Sequence, residues 1–368
     1  MTTVSILMPC YNRSYDLLRT LQAYDRQTTS EPFEIIAIDD GSRDSTFEVL
    51  RTYRPERFRL LPLQLPTNQG PSVARNVGLE HASSPLLVFV GDDIVPDPDF
   101  VDAHLRAHSN HPDPTVAILG RVRWADDLPQ NTLMKHIDGP GAQQFSYYYL
   151  QDGKEYDYRH FYTANVSIKR EMFNHVDHWF DNTFVYAYED PELAYRLSKH
   201  GGRILYDASI VGRHYHYHSI LSFSARQQRC GRIAWVFEKK HPGVKKDILP
   251  GLHWHIGLAL SRMLKPGLSP TRRRCLESQS LHLATHYEWI PNHLLDFLYI
   301  EVLNYFYYKG ALESIFAQSA MQERILAGYA LGRLFPLLQR FVREAHATGV
   351  ELPDGFHPHE HRQFPSPA

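Results

Sequence analysis

Residues 86–93 read Leu86-Leu87-Val88-Phe89-Val90-Gly91-Asp92-Asp93. The five apolar residues have the length and the branched composition of a short buried strand. The two acids therefore come at the carboxyl end of a strand, where open α/β sheets bind their ligands. Adjacent carboxylates repel each other unless a cation or hydrogen-bond donors neutralise them, and a divalent metal that holds a diphosphate would do so. An exposed acidic loop is the alternative for this motif taken alone.

Composition excludes several classes of protein. The 368 residues carry a formal net charge of −2, which gives no support to nucleic-acid binding. Three cysteines are far apart and form no CxxC pair, so neither a disulfide framework nor a zinc ribbon is indicated. We expect no secretory signal and no membrane span, and we expect the protein in the cytoplasm, either free or peripheral at the inner face of the membrane.

Apolar runs alternate with helical patterns through the first hundred residues. Short connections between them predict an α/β fold, in which a mostly parallel sheet has helices on both faces. The expected strands are Val4–Met8 (ended by Pro9), Phe33–Ile38, Phe58–Leu63 and Leu86–Val90, and the expected helices are Tyr15–Gln27, Ser45–Tyr53 and Pro71–His81.

The pattern is looser after residue 97. Residues 125–160 have no clear period, and we expect a long substrate-facing loop or a small inserted element there. Helical spacing dominates from about residue 222. We therefore predict a catalytic domain over 1–225, a helical C-terminal domain over 226–346 and a flexible tail over 347–368.

A second acidic motif, Asp39-Asp40-Gly41-Ser42, also follows a predicted strand. An acid at a strand end can accept a hydrogen bond from an N–H group of a ligand base, and glycine permits a tight turn. An Asx turn that caps the next helix is the alternative.

An arginine follows the third predicted strand, in the segment Asn68-Gln69-Gly70 with Ala74-Arg75-Asn76. A helix start attracts anions, and Arg75 one turn into that helix could bind a phosphate with two parallel hydrogen bonds. The alternative is an exposed arginine on a surface helix.

Acids surround a helix start in Tyr188-Glu189-Asp190-Pro191-Glu192. A carboxylate here could act as a general base that accepts a proton from an attacking hydroxyl. Favourable interaction of the acids with the helix dipole is the alternative.

Three histidines alternate with tyrosines in His214-Tyr215-His216-Tyr217-His218. In an extended segment they would share one face. One neutral imidazole could complete a metal site built mainly of carboxylate and phosphate oxygens. A solvated or satisfied histidine cluster is the alternative for at least two of them.

In this order, the motifs resemble those of the family 2 inverting glycosyltransferases over about residues 3–240. The matching segments are Val4-Ser5-Ile6-Leu7-Met8-Pro9-Cys10-Tyr11-Asn12, Asp39-Asp40-Gly41-Ser42, Asn68-Gln69-Gly70, Ala74-Arg75-Asn76, Asp92-Asp93, Thr163-Ala164-Asn165-Val166-Ser167 and Glu189-Asp190. One departure is Gly91-Asp92-Asp93, where adjacent acids replace the acid-x-acid spacing of many members.

The resemblance implies a GT-A fold, a nucleotide-diphosphate-sugar donor (usually a UDP-sugar) and a divalent ion, Mn²⁺ or Mg²⁺. It implies that Asp40, with Asp39 beside it, contacts the base. Asp92 would contact the ribose or the sugar, and Asp93 would bind the metal together with His214 or His216. Asp190 would be the catalytic base, with Glu189 beside it. The remaining donor-site residues would be Pro9, Tyr11, Asn12, Asn68, Gly70 and Arg75.

The function expected from these implications is inverting transfer of a sugar to a hydroxyl of a glycan or lipid-linked saccharide, in polysaccharide or cell-surface glycan synthesis. Rivals are a non-catalytic sugar-nucleotide-binding or glycan-binding protein and a nucleotidyltransferase. A nicotinamide-dependent oxidoreductase is disfavoured, because the turn after the first strand has no glycine. The helical region could be an acceptor platform, a homo-oligomer interface or a membrane-surface contact through its basic stretch, Arg262, Lys265 and Arg272-Arg273-Arg274. A solvated helix end and loop is the alternative for this stretch.

Overall fold

The computed structural model describes residues 2–265, 269–286, 292–316, 321–349 and 351–352. The strands are β1 Val4–Cys10, β2 Phe33–Asp39, β3 Arg59–Gln64, β4 Leu86–Val90, β5 Ile94–Pro96, β6 Val116–Trp124, β7 Glu155–Tyr156, β8 Asn165–Lys169 and β9 Arg203–His214. The helices are α1 Ser14–Tyr24, α2 Thr46–Thr52, α3 Pro71–His81, α4 Phe100–Asn110, α5 Thr132–Asp138, α6 Glu189–Ser198, α7 Ile220–Lys240, α8 Lys245–Ile248, α9 Leu252–Arg262, α10 Pro270–His286, α11 Asn292–Ile315 and α12 Gln322–Ala347.

One sheet organises the first half of the chain, with strand order β3-β2-β1-β4-β8-β6-β9-β5 and with β7 paired to β9. Strands β3, β2, β1 and β4 are parallel, as are β6 and β9. Strand β8 runs antiparallel to both β4 and β6, and β5 and β7 run antiparallel to β9. The expected mostly parallel sheet, followed by a helical region, is confirmed.

Apolar layers cover both faces of this sheet. Strand β4 illustrates this, because Leu87 and Phe89 lie in one core and Leu86, Val88 and Val90 lie in the other. Each of these side chains is at most 5% exposed. A strand that is buried on both faces is a continuous apolar run without alternation, which is what residues 86–90 show.

Two local features differ from the sequence expectations. Strand β1 continues through Pro9 to Cys10, because its pairing with β4 ends at Leu7 and a proline is tolerated where a strand has a free side. Strand β5 was not expected. Residues 125–160, for which a loop or a small inserted element was expected, contain α5, the short strand β7 and two 3-10 turns.

The chain divides into two compact units. Unit 1 comprises residues 1–130 and 137–217, and unit 2 comprises residues 131–136 and 218–368. Residues 353–368 of the expected tail lie outside the described residues. No helix in the described ranges is long and apolar enough to cross a membrane.

Unit 2 is built around helices α7 and α11, which pack closely through two glycines. A Cβ atom on Gly231 would lie 1.8 Å from the carbonyl oxygen of Tyr307, and one on Gly310 would lie 1.9 Å from that of Gln228. Of the expected basic stretch, Arg273 is buried and pairs with Glu277 and Glu323.

Candidate functional site

The predicted donor-site motifs of unit 1 meet at one edge of the sheet. Strand β1 pairs in parallel with β2 up to Cys10 and Asp39, so the loops after both strands leave the sheet side by side. Antiparallel β8 begins opposite the end of β4, where Val90 faces Asn165. The loops after β1, β2 and β4 and the segment before β8 therefore lie along this edge.

Strand β5 brings Asp93 to the histidine segment. It pairs with β9 so that Ile94 faces His214, and the N–H of Tyr215 donates to the carbonyl oxygen of Asp93 over 2.9 Å. This pairing places Oδ2 of Asp93 3.4 Å from Nε2 of His214 and 3.1 Å from Nδ1 of His216. Trp124 on β6 stacks against the His214 ring at 5.0 Å and fixes its plane.

These three side chains form a donor set that suits a divalent ion. One ligand atom from each of Asp93, His214 and His216 lies within 4.8 Å of the others. Carboxylate oxygen and imidazole nitrogen are ligands of divalent first-row metals. Three protein ligands leave open positions for water and phosphate oxygens. The residues present therefore fit the metal that the family resemblance implies, and the structure brings both candidate histidines to the site.

A cation already lies beside Asp93. Arg13, which precedes α1, places its Nη2 3.2 Å from Oδ2 of Asp93 and in contact with Nδ1 of His216. Burial alone would raise the pKa of Asp93, but His214, His216 and Arg13 outweigh it and hold that pKa well below its usual range. Sequence reasoning missed Arg13, although it directly follows the quoted segment Tyr11-Asn12.

Asp92 has a different hydrogen-bond partner from Asp93. Its Oδ2 accepts a hydrogen bond from the N–H of Tyr11 over 3.1 Å. Burial and the neighbouring charge of Asp93 raise the pKa of Asp92 well above its usual range. The two adjacent acids thus differ in environment, and the assignment of Asp92 to the ribose or sugar stays a prediction.

Asp40 organises the loop before α3. Its Oδ1 accepts from the N–H of Gln69 over 2.7 Å, and its Oδ2 accepts from the N–H of Gly70 over 2.8 Å and from Nδ2 of Asn68 over 2.9 Å. Gly70 has a φ of 91°, and a Cβ atom there would meet the carbonyl oxygen of Val185 at 2.5 Å. Base recognition by Asp40 stays a prediction, because both of its oxygens already hold this loop.

The loops after β1 and β2 are tied together by polar contacts. The N–H of Asn12 donates to Oγ of Ser42 over 2.9 Å, and Oδ1 of Asn12 accepts from the N–H of Arg43 over 2.8 Å. Asp39 is fully buried and accepts from the N–H of Ser42 over 3.2 Å. Tyr11 is 40% exposed and is thereby available to a ligand. Pro9 lies within β1 and not in the loop.

Arg75 and Glu189, which were assigned separate roles, form a buried ion pair. Nη1 of Arg75 lies 2.9 Å from Oε1 of Glu189, and both side chains are 9% exposed. Nε of Arg75 and Oε2 of Glu189 are buried without a hydrogen-bond partner. The assignment of Arg75 to a phosphate stays a prediction, because the guanidinium is already engaged by Glu189.

Asp190 is half-buried at the start of α6. Its Oδ2 accepts from the N–H of Thr163 over 3.3 Å and lies 3.5 Å from the Thr163 hydroxyl. Burial, and after it the charge of Glu189, raise the pKa of Asp190 to about 7, although Arg75 opposes this shift. A carboxylate whose pKa lies near neutral pH can accept a proton from a hydroxyl group. Tyr188, the residue before α6, has a φ of 66°.

A buried polar network behind the site was also missed. Nε2 of His104 lies 3.0 Å from Oδ1 of Asn165, and Oγ of Ser167 lies 2.8 Å from both Nδ1 of His104 and Nε2 of His108. Asn165 also donates to the carbonyl oxygens of Arg121 and Ile210, beside the irregularity in the β6–β9 pairing. The i, i+4 spacing of the two histidines on α4 was the available signal, but helical spacing cannot identify a polar partner on another strand.

Comparisons with known proteins identify the family that the chain resembles. The family model described as Glycosyl transferase family 2 matches residues 5–177. Validoxylamine A glucosyltransferase of Streptomyces hygroscopicus subsp. jinggangensis is 31% identical over 282 residues, which cover 69% of this chain and 63% of that protein. The chain thus spans less than two thirds of the length of this relative. The uncharacterized glycosyltransferase YfnE of Bacillus subtilis is 23% identical over 337 residues, 80% of this chain and 83% of YfnE.

A solved structure shares the fold. The mannosyltransferase PcManGT from Pyrobaculum calidifontis, in complex with GDP-Man and Mn²⁺, superposes with a TM-score of 0.53 at 16% identity, over 86% of this chain and 88% of that one. The fold is accordingly of the GT-A type, as expected. Residues 5–177, which carry most of the acidic motifs at this sheet edge, thus match glycosyl transferase family 2, and the chain is similar to glucosyltransferases of known name.

Proposed function

We propose that this protein transfers a sugar from a nucleotide-diphosphate donor to an acceptor hydroxyl with inversion at the anomeric carbon. The observation that carries the proposal is that unit 1 holds two distinct acidic centres at one sheet edge. One is the Asp93, His214 and His216 cluster, and the other is Asp190, whose pKa is raised to about 7. A transferase that inverts in one step needs a site for a leaving diphosphate and a separate base for the acceptor.

Asp190 is the proposed base. In the transfer step, the acceptor oxygen forms a bond to the anomeric carbon, its proton passes to Asp190, and the bond to the nucleotide diphosphate breaks. The N–H and hydroxyl of Thr163 orient the carboxylate. Glu189 supports this role indirectly, because its negative charge raises the pKa of Asp190 while Arg75 limits that effect. General-base assistance of this kind is worth about 10²–10⁴ in rate.

Asp93, His214 and His216 are the proposed metal ligands. A divalent ion held there would neutralise the charge that develops on the leaving diphosphate. Of the two ions that the resemblance implies, we propose Mn²⁺, because Mg²⁺ prefers oxygen ligands and the site offers two imidazoles. The donor nucleotide would lie along the loops that carry Tyr11 and Asp40, and we propose UDP as the first nucleotide to test.

The acceptor and the role of unit 2 complete the proposal. We propose a saccharide or lipid-linked saccharide as acceptor, as the family resemblance implies. The helical unit 2 is the proposed location of acceptor or oligomer contacts. Its basic stretch is less suited to lipid than the sequence alone indicated, because Arg273 is buried in ion pairs.

A ligand screen followed by two variants tests the proposal. We expect a UDP-, GDP- or dTDP-sugar to raise the melting temperature when Mn²⁺ is present, since a ligand at 100 times its Kd stabilises by about 2.7 kcal/mol. Asp190→Asn should keep that shift and lose transfer, whereas Asp93→Asn should lose the Mn²⁺-dependent part of the shift. Asp113→Asn, an exposed acid paired with Arg203, is the matched control and should behave like the wild type. Full transfer by both site variants would refute the assignment.

A further inference from the structure

Arg13 occupies an unexpected position for a residue next to a metal site. Its Nη2 is 3.2 Å from Oδ2 of Asp93 and contacts Nδ1 of His216. These are two of the three atoms that would bind the ion. A lone pair that accepts a guanidinium hydrogen bond cannot bind a metal ion at the same time. Arg13 and a divalent cation therefore compete for the same atoms.

Charge makes the competition stronger. Without a metal, Asp93 and Arg13 form a neutral pair beside two imidazoles. A divalent cation at the same ligands would face the guanidinium charge at close range, where like charges repel strongly. A diphosphate changes this balance, because its negative charges attract both the metal and a nearby arginine.

The surroundings of Arg13 allow it to change partners without moving its backbone. Its N–H donates to Oγ1 of Thr46 over 2.8 Å, which anchors the main chain between the loops after β1 and β2. Its Nη1 lies 3.2 Å from Oδ2 of Asp16, and the side chain is 26% exposed. A long side chain whose main chain is anchored and whose head group is partly exposed to solvent can redirect that head group by changing rotamers alone.

We propose that Arg13 is a displaceable counter-ion of the metal site. It neutralises Asp93 while no metal is bound, releases Asp93 when a divalent cation binds, and then pairs with the diphosphate of the donor. Arg13 thereby makes tight metal binding depend on the donor nucleotide. The inference rests on the proposed metal site and adds to it a residue that couples the two ligands.

Mn²⁺ binding measured by electron paramagnetic resonance of the free ion tests this, with and without UDP. In the wild type we expect weak Mn²⁺ binding alone and much tighter binding with UDP, after correction for the Mn²⁺–UDP complex in solution. Arg13→Gln should tighten Mn²⁺ binding without UDP by about tenfold or more, because the competing charge is gone. In the same variant, UDP should tighten Mn²⁺ binding by a factor about tenfold smaller than in the wild type, because no guanidinium remains for the diphosphate to draw away from Asp93. The coupling between the two ligands is reciprocal, so Mn²⁺ should also strengthen UDP binding by the smaller factor.

Three further variants make the result specific. Arg51→Gln removes an exposed arginine that pairs with Glu48 on the same helix, and it should match the wild type. Asp93→Asn should abolish tight binding in every background. Arg13→Met is a second way to remove the charge. If circular dichroism shows that Arg13→Gln folds poorly, Arg13→Met takes its place and should show the expected changes in Mn²⁺ binding.

Two outcomes would overturn the inference and can be told apart. If the wild type binds Mn²⁺ but the Arg13 variants bind it no more tightly, Arg13 is a static structural partner, and the proposed function is unaffected. If neither wild type nor variants bind Mn²⁺ while donor binding and transfer persist, the metal site itself is wrong.

Discussion

Replacing Asp190 with asparagine should stabilise the protein in a way that depends on pH. Burial and the charge of Glu189 raise the pKa of this carboxyl from 3.8 to about 7 in the folded protein. Between these two values the unfolded chain has lost the proton that the folded chain keeps. The stability associated with Asp190 is therefore greatest below about pH 4 and falls as the pH rises to about 7.

The magnitude follows from the distance between pH 5 and that pKa. Two pH units correspond to about 2.7 kcal/mol. Partial exposure of the carboxylate reduces this to about 2 kcal/mol. Asparagine carries no charge, so the stability difference between Asp190→Asn and the wild type should grow by this amount between pH 5 and pH 8. In a unit of about 200 residues this corresponds to about 4–8 °C in melting temperature.

Calorimetry at pH 5 and pH 8 measures this difference directly. Asp44→Asn is the control. Burial would raise the pKa of Asp44, but hydrogen bonds from Thr46 and Ser14 outweigh it and lower that pKa. Asp44 is therefore ionised at both pH values, and its substitution should change the melting temperature equally at each. A difference for Asp190→Asn that is constant, or smaller at pH 8, would refute the reasoning about the base.

Two other predictions concern the scaffold. Gly231→Ala should lower the stability of unit 2 by about 3 kcal/mol or more, because its Cβ would lie 1.8 Å from a backbone oxygen of α11. The control is Gly257→Ala on α9, where a Cβ atom would meet open space, and its free energy of unfolding should rise by up to about 1 kcal/mol. Urea titration measures both variants, and equal losses of stability would contradict the packing argument. Burial lowers the pKa of His104 to about 4 and of His108 to about 3, so stability should fall by about 2 kcal/mol per histidine as the pH drops from 6.5 to 5. The measurement is the unfolding free energy in urea at pH 6.5 and pH 5, for the wild type and the double variant His104→Gln with His108→Gln. If the double variant loses as much stability as the wild type between these pH values, other groups cause the loss.

Local signals predicted the first half of the sheet well. Strand β4 and helix α3 occur as expected, at Leu86–Val90 and Pro71–His81. These segments bury their own apolar pattern, so their structure depends little on distant partners. Strand β5 could not be predicted in this way, because three residues ending in a proline form a strand only through pairing with β9.

Partners within the site were harder to predict than its members. Asp93, His214 and His216 were all candidates, but their meeting depends on the register between Ile94 and His214, 120 residues apart along the chain. The same limit applies to the Arg75–Glu189 pair. Each residue carried a plausible role of its own, and nothing in either local sequence indicates that a helix start would bury the two charges against each other.

The arrangement of charges in unit 1 explains how neighbouring acids can differ in function. Asp93 is surrounded by His214, His216 and Arg13, so its carboxylate is held ionised and suited to a cation. Asp190 is half-buried beside another carboxylate, so it holds its proton up to about pH 7 and is suited to exchange one. Both acids lie at the same sheet edge, so under the proposed function one acid would bind the metal and the other would accept the proton of the acceptor in a one-step displacement.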